Sequence, residues 1–183
     1  AVEHLKNISG WKGFFAYCIN ADPMELLGNI KKIYYHTCTS NVVGGCHINF
    51  WSGLGAYTTA RGFDIATHYQ RSGIRILTDP SNKYSVSWPV LVKLGCMAGV
   101  DSMHVGMLGG YYPEGESEEE TLEAISICEK YDVIPSLSCG MNPVLAREIK
   151  ERIGNNFMAS VGGWLHTGDS LIKKVKEMRE SLD

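Results

Sequence analysis

Two short segments near the C-terminus combine residue types suited to holding an anion: Pro135-Ser-Leu-Ser-Cys-Gly-Met141 and Phe157-Met-Ala-Ser-Val-Gly-Gly163. Each is an apolar run that ends in small residues, and each is followed by a helix-like stretch. A βα turn ending in Gly or Ser brings backbone N–H groups together with no side chain blocking access. The helix that follows adds the partial positive charge of its N-terminus. Two such turns side by side make a phosphate cradle, and late βα loops are where barrel enzymes often bind phosphate. A tight turn needing small residues explains either segment alone; the pair, in this order, favours phosphate binding.

The six cysteines, Cys18, Cys38, Cys46, Cys96, Cys128 and Cys139, form no CxxC pair and no zinc-ribbon spacing. Most lie in apolar runs and read as buried free thiols. Cys38 and Cys46 read as part of a polar linker with His36 and His47 nearby. Ordinary loop residues are the preferred reading there over a metal site. The expected compartment is reduced and cytoplasmic. A net charge of −3 with scattered Lys and Arg offers no nucleic-acid surface and no polybasic membrane surface. No apolar stretch approaches membrane-spanning length, and the N-terminus lacks a basic-then-apolar signal pattern. With 183 residues, 44% of them hydrophobic, the chain reads as one soluble domain, residues 1–183, with a real core.

The elements that must position these residues follow an alternating period. Strands are predicted at Gly13–Ile19, Cys46–Trp51, Ile74–Thr78, Ser102–Gly106, Val133–Leu137 and Phe157–Val161. Helices are predicted from Asp22-Pro23 to about Tyr35, over roughly Thr59–Arg71, and over Trp88–Ala98 with Leu91, Leu94 and Met97 inward. Further helices run from the acidic linker Glu114–Glu120 through Glu129, from Asn142-Pro143 to near Ile153, and onward from Gly168-Asp169. The fold class is therefore α/β, six βα units with parallel strands and right-handed crossovers. An open doubly wound sheet and a (β/α)8 barrel both fit this pattern. Six units do not fill an eight-stranded barrel of ~250 residues. No GxGxxG or Walker-type loop follows the first strand. Periodicity alone leaves the choice open.

From residue 10 to about 175 the chain resembles the C-terminal part of the barrel in the RuBisCO large-subunit superfamily. Three stretches carry the resemblance. Val90-Leu-Val-Lys-Leu-Gly-Cys-Met-Ala-Gly-Val-Asp-Ser-Met-His-Val-Gly106 is similar to the family's "VLAKLxRLxGxDxxHxG" helix and sixth strand. Ser136-Leu-Ser-Cys-Gly140, with Ile153-Gly-Asn155 downstream, is similar to the seventh, "ASGG…EIFGND". Ala159-Ser-Val-Gly-Gly163 is similar to the eighth, "QxGGG". The resemblance implies a partial TIM barrel, strands three to eight of the (β/α)8 fold.

It also implies roles, position by position. Gly162 and Gly163 match the family's phosphate-binding glycines. Ser138, Cys139 and Gly140 match the Ser-Gly-Gly that holds substrate hydroxyl and phosphate, with the Cβ and thiol of Cys139 narrowing that approach. His104 matches a substrate-binding histidine. The departures point away from carboxylation. Tyr111 stands about where loop six of the carboxylases carries a lysine, and a neutral phenol supplies no fixed positive charge. With the fifth strand read as ending at Thr78-Asp79-Pro80-Ser81-Asn82, the family's His-Arg-x-x-His cluster is missing. Its phosphate-pairing Arg is lost and Asp79 would repel that anion; a cap before Pro80 is the preferred reading of Asp79 over a base or metal ligand.

The catalytic lysine and the magnesium-binding Lys-x-Asp-Glu of the family's first two strands have no counterpart at that spacing. Asp22 reads as a helix cap, Glu116–Glu120 as a solvated face and Lys12 as a surface residue. The expectation is the C-terminal barrel portion of a RuBisCO-like protein that binds a sugar phosphate or inorganic phosphate. Its chemistry would be of the enolase or isomerase type, completed by a missing N-terminal part, with no catalytic residue, metal site or cofactor in this chain and magnesium in a full-length parent. The alternative is a non-catalytic barrel remnant with a phosphate-binding or structural role. Two unpaired strand edges imply a homo-oligomer. No nucleic-acid or membrane partner is expected.

Overall fold

The computed structural model describes residues 15–19, 23–40, 44–71, 73–111, 116–168 and 170–183, with the backbone alone for 15–19, 23–24 and 36–40. The expectations on Gly13, Lys12, Asp22, Glu114 and Asp169, and on the side chains of Cys18, His36 and Cys38, lie outside the described residues. The chain divides into two compact units, Ala1–Ser72 with Leu94–Ser102 and Gly73–Lys93 with Met103–Asp183.

In the first unit, β1 (Phe15–Ile19), β2 (Gly44–Asn49) and β3 (Ala66–Gln70) pair in parallel, in that order. They alternate with α1 (Pro23–Ser40) and α2 (Gly55–Gly62). Cys46, Ile48, Thr67 and Tyr69 are buried, whereas His47, Asn49, His68 and Gln70 are only half-buried. Successive strand residues point to opposite faces, so one face is apolar and the other carries imidazoles and amides. Leu26, Ile30 and Ile33 form the buried stripe of α1 at helical spacing. On α2, Tyr57 stacks on Tyr69 with centroids 5.3 Å apart and donates its hydroxyl to Ile48 O at 2.8 Å. Burial pushes both phenols well above their ordinary pKa. Asp101 fixes the start of β3: its carboxylate accepts from Thr67 N at 2.7 Å, and its own N–H donates to Thr67 O.

Two expectations are corrected here. The helix expected over Thr59–Arg71 is Gly55–Gly62, and the third strand is Ala66–Gln70, not Ile74–Thr78. The helix stops because Phe63 N closes onto Ala60 O and Asp64 takes a left-handed φ of 55°. The apolar run at Ile74 forms a helical turn, α3 (Arg75–Thr78), in which Leu77 N and Thr78 N both reach Ile74 O. A short apolar run suits either structure on periodicity alone, and Ile76 at 72% exposure rules out a buried strand. Cys46 also lies within β2 and not in a polar linker. Its thiol, pushed up to about 12 by burial, faces away from the His47 side of the sheet, so the two cannot share a cation.

The second unit carries β4 (Ser102–Gly106), β5 (Ile134–Leu137) and β6 (Met158–Ala159), the last two paired in parallel. Their helices are α5 (Glu118–Lys130), α6 (Pro143–Ile153), the four-residue α7 (Gly162–Leu165) and α8 (Leu171–Leu182). Every residue of β4 is buried, as a strand covered on both faces requires. The helix α4 (Trp88–Met97) leads into it and buries Trp88, Leu91, Val92 and Cys96, while Leu94 and Met97 are exposed, contrary to expectation. The Trp88 indole donates to Val105 O at 2.9 Å. Ser117 and Glu120 form a reciprocal capping box at the start of α5, a device worth about 1 kcal/mol. Glu116 is not part of a solvated face: it is 7% exposed, with Oε1 packed against Gly106 beside Thr121. Among the described residues no helix is long and apolar enough to cross a membrane.

Candidate functional site

β5 ends at Leu137 and the chain turns through Ser138, Cys139 and Gly140 into α6. Ser138 N donates to Gly106 O at 3.1 Å, tying this turn to the end of β4. Cys139 and Gly140 both have positive φ, 75° and 95°. Only the second is glycine, so the cysteine holds a conformation that costs an ordinary residue about 1–2 kcal/mol. Asn142 locks the turn to the helix. Its side-chain amide donates to Gly140 O at 3.1 Å, while its Oδ1 accepts from Val144 N and Leu145 N. Gly110 backs the turn so closely that a Cβ there would stand 2.5 Å from Cys139 O.

The turn after β6 lies beside it. Ser160 N donates to Leu137 O, and Ser160 Oγ is 3.0 Å from Ser136 Oγ. The two turns enclose a pocket of about 520 Å³. Ser138, Cys139 and Gly140 line one side, Ser160, Gly162 and Gly163 the other, and Trp164 and Thr167 close one end. The Tyr111 ring covers Gly140, 3.5 Å from where a Cβ would project. A Cβ at Gly162 or Gly163 would meet nothing within 4 Å, so internal packing does not demand glycine at either position. The helix after the second turn is only the four-residue α7, so exposed backbone rather than a long helix dipole faces the pocket there.

Five of the six residues singled out from the sequence thus line one pocket. His104 does not line it. It is buried on β4, and its Nε2 is hydrogen-bonded to the Ser138 hydroxyl, whose oxygen lies 3.4 Å from Cys139 Sγ. His104 therefore orients the hydroxyl that the pocket presents. Sequence reasoning missed Trp164 and Thr167, which carry no motif of their own, and assigned no role to Ser160, which lies within the second segment. The pocket can offer backbone N–H groups, two serine hydroxyls and an amide to an anion or a polyol.

A second polar cluster occupies the first unit. His47 and His68, opposite one another on β2 and β3, have ring centroids 4.6 Å apart. His47 Nε2 is 2.7 Å from Gln70 Oε1, and His68 Nδ1 is 2.8 Å from Ser102 Oγ. Burial, assisted by His47, pushes the His68 pKa down to about 4, so the ring is neutral at neutral pH. Among the described residues no three His, Cys, Asp or Glu side chains come together to hold a cation. They do not fit a magnesium site.

No family model matches the chain. The ribulose bisphosphate carboxylase of Dechloromonas aromatica (strain RCB) is 27% identical over 148 residues, 72% of this chain and 32% of that protein. That of Thiomonas intermedia (strain K12) is 26% identical over the same length. A rubisco-like protein from Burkholderia fungorum superposes with a TM-score of 0.80 at 21% identity, over 99% of this chain and 46% of that one. A rubisco-like protein from Alicyclobacillus acidocaldarius gives 0.79 at 16%, with the same coverage. The chain is a homologue of the RuBisCO and RuBisCO-like proteins. It spans about a third of the length of the curated relatives and under half of the solved ones. Its fold is a portion of a RuBisCO-like barrel.

The comparison drawn on Thr78–Asn82 assumed a strand ending at Thr78, but the strand is β3 (Ala66–Gln70) and Thr78 ends the helical turn α3. β3 ends at Gln70, and Arg71 follows it. Arg71 is 2% exposed. Asp79 caps a turn instead: Ser81 N and Ser81 Oγ donate to its Oδ1 at 3.0 and 2.7 Å, which lowers its pKa.

Proposed function

We propose that the pocket between the turns after β5 and β6 binds the phosphate of a sugar phosphate, and inorganic phosphate more weakly. The chain would be one partial-barrel domain, the C-terminal barrel portion of a RuBisCO-like protein that has enolase- or isomerase-type chemistry once upstream residues complete the site. The observation that carries this reading is the convergence of Ser138, Cys139 and Gly140 with Gly162 and Gly163 around one pocket. Glycines that no packing requires leave their backbone open to a ligand. In this reading Ser138, held by His104, donates to a substrate oxygen, and the N–H groups at Gly140, Gly162 and Gly163 take the phosphate. Carboxylation is not part of the reading, because Tyr111 supplies no fixed positive charge to a new carboxylate. No step is routed through magnesium, which a full-length parent would bind through residues other than those described. A cytoplasmic, homo-oligomeric protein without nucleic-acid or membrane partners completes the proposal.

A non-catalytic barrel remnant with a phosphate-binding or structural role is the second reading, and the Tyr111 ring over Gly140 favours its structural form by narrowing access to the turn. Thermal unfolding with ribulose bisphosphate, inorganic phosphate and no added anion tests the pocket. A dose-dependent rise in Tm with either anion is expected. An unchanged Tm with both at saturating concentration sinks the phosphate reading. Turnover of a sugar phosphate by a longer parent protein separates enzyme from remnant.

A further inference from the structure

The pocket walls named above carry no charged side chain among the described residues, yet a phosphate brings up to two negative charges. Among the described residues, Lys174 places a cation directly behind the wall. Lys174 sits in the opening turns of α8, where the helix dipole disfavours a positive charge. Its side chain runs back toward the pocket. Nζ donates to Trp164 O at 2.6 Å and to Thr167 Oγ1 at 2.5 Å, and it lies 4.6 Å from the centre of the Trp164 ring. The end of the same side chain also reaches the Cβ position of Gly168, at 3.5 Å from Cε. One lysine therefore fastens the whole segment from Trp164 to Gly168 to α8, and both Trp164 and Thr167 are pocket walls. The Thr167 hydroxyl gives its own proton to Trp164 O at 2.8 Å. Its remaining capacity is as the acceptor for Lys174, so the hydroxyl serves the wall and not a ligand.

We propose that Lys174 is the positioning cation of this pocket: it fixes the Trp164–Gly168 wall and supplies the positive charge against which an anionic ligand is held. A ligand of one phosphate group is what a single cation and a ring of neutral donors suit. The proposal rests on the phosphate reading of the pocket and adds to it the residue that sets the sign and strength of its field. Two of the three ammonium protons are already committed to the wall, so the charge acts mainly through space.

Calorimetric titration of inorganic phosphate into the full chain tests it, comparing the unaltered protein with Lys174→Met and Lys174→Arg over a range of ionic strengths. Lys174→Met should weaken binding about tenfold and flatten its salt dependence, while Lys174→Arg keeps most of both. Equal affinity and equal salt dependence in Lys174→Met overturns the charge role. Amide hydrogen exchange without any anion reads the wall separately. Faster exchange across residues 164–168 in Lys174→Met is expected, and unchanged exchange there overturns the fastening role whether or not phosphate binds. Absence of phosphate binding by the unaltered protein instead overturns the phosphate reading of the pocket, and the charge role with it.

Discussion

His104 and Ser138, thirty-four residues apart in sequence, are joined by a hydrogen bond between the imidazole Nε2 and the serine hydroxyl. The bond crosses from the middle of β4 to the first residue beyond β5, so it links the sheet interior to the rim of the pocket. Ser138→Ala removes a partner from a buried ring nitrogen, which costs about 1–3 kcal/mol. For a chain of this length that is a fall in Tm of several degrees. Ser138→Cys, which keeps a weak donor at nearly the same place, should lose less. Thermal and urea unfolding of the two variants checks the order; equal stability of Ser138→Ala and the parent would mean the contact is not formed.

Cys139 holds a left-handed backbone conformation, φ 75°, that suits glycine better than a residue with a Cβ. Cys139→Gly removes the left-handed penalty but adds chain entropy to the unfolded state. The net expectation is stability equal to the parent or up to about 1 kcal/mol higher, with tighter phosphate binding as the turn opens. Cys139→Val places a β-branched residue at positive φ and should lose about 2 kcal/mol or more. Urea denaturation of the pair checks the order, and a Val variant as stable as the Gly variant would show that the turn relaxes freely.

How far the sequence carried depends on where the physics is local. The element order from Trp88 to Gly106 was legible because a helix, a glycine stop at Gly99 with φ 85° and a continuous apolar strand follow one another, although Leu94 and Met97, read as inward, are exposed. Asn142-Pro143 announced α6 because both cap chemistry and a fixed proline φ act within one turn. Residues 59–78 failed for the opposite reason. Ala66-Thr-His-Tyr-Gln70 mixes polar and apolar residues because one face of its sheet is polar, so it looked like helix surface, while the apolar Ile74 run looked like strand. That error displaced the strand end. The burial of Glu116 and the fastening of Trp164 and Thr167 by Lys174 come from tertiary contacts, which no local pattern records.

Gly110 and Gly162 should respond in opposite ways to the same substitution. A Cβ at Gly110 would press on Cys139 O and Met107 Cγ, both at 2.5 Å, and the first is backbone that cannot swing aside. Gly110→Ala should therefore cost about 1–3 kcal/mol and distort the turn. Gly162→Ala meets open space and should leave stability within about 0.5 kcal/mol, while its methyl group stands where a phosphate would approach the backbone. Unfolding free energies and phosphate titrations on both variants check this. Gly162→Ala binding phosphate as tightly as the parent would remove that glycine from the cradle.

The histidine pair predicts how stability depends on pH. His68 has a pKa of 6.5 when free and about 4 in the fold, lowered first by burial and then by the nearby His47. The unfolded chain therefore binds a proton that the folded chain refuses over the interval between those values. Stability from this residue is fully present above about pH 6.5 and falls as the pH drops toward 4, with the loss complete below the folded value. At 1.36 kcal/mol per unit the whole effect is on the order of 3 kcal/mol, large against the stability of a domain this size. His68→Asn cannot titrate, so its unfolding free energy should vary less between pH 7 and pH 4.5 than that of the parent. Parallel curves for the two proteins across that interval would show that His68 charges without penalty in the folded state.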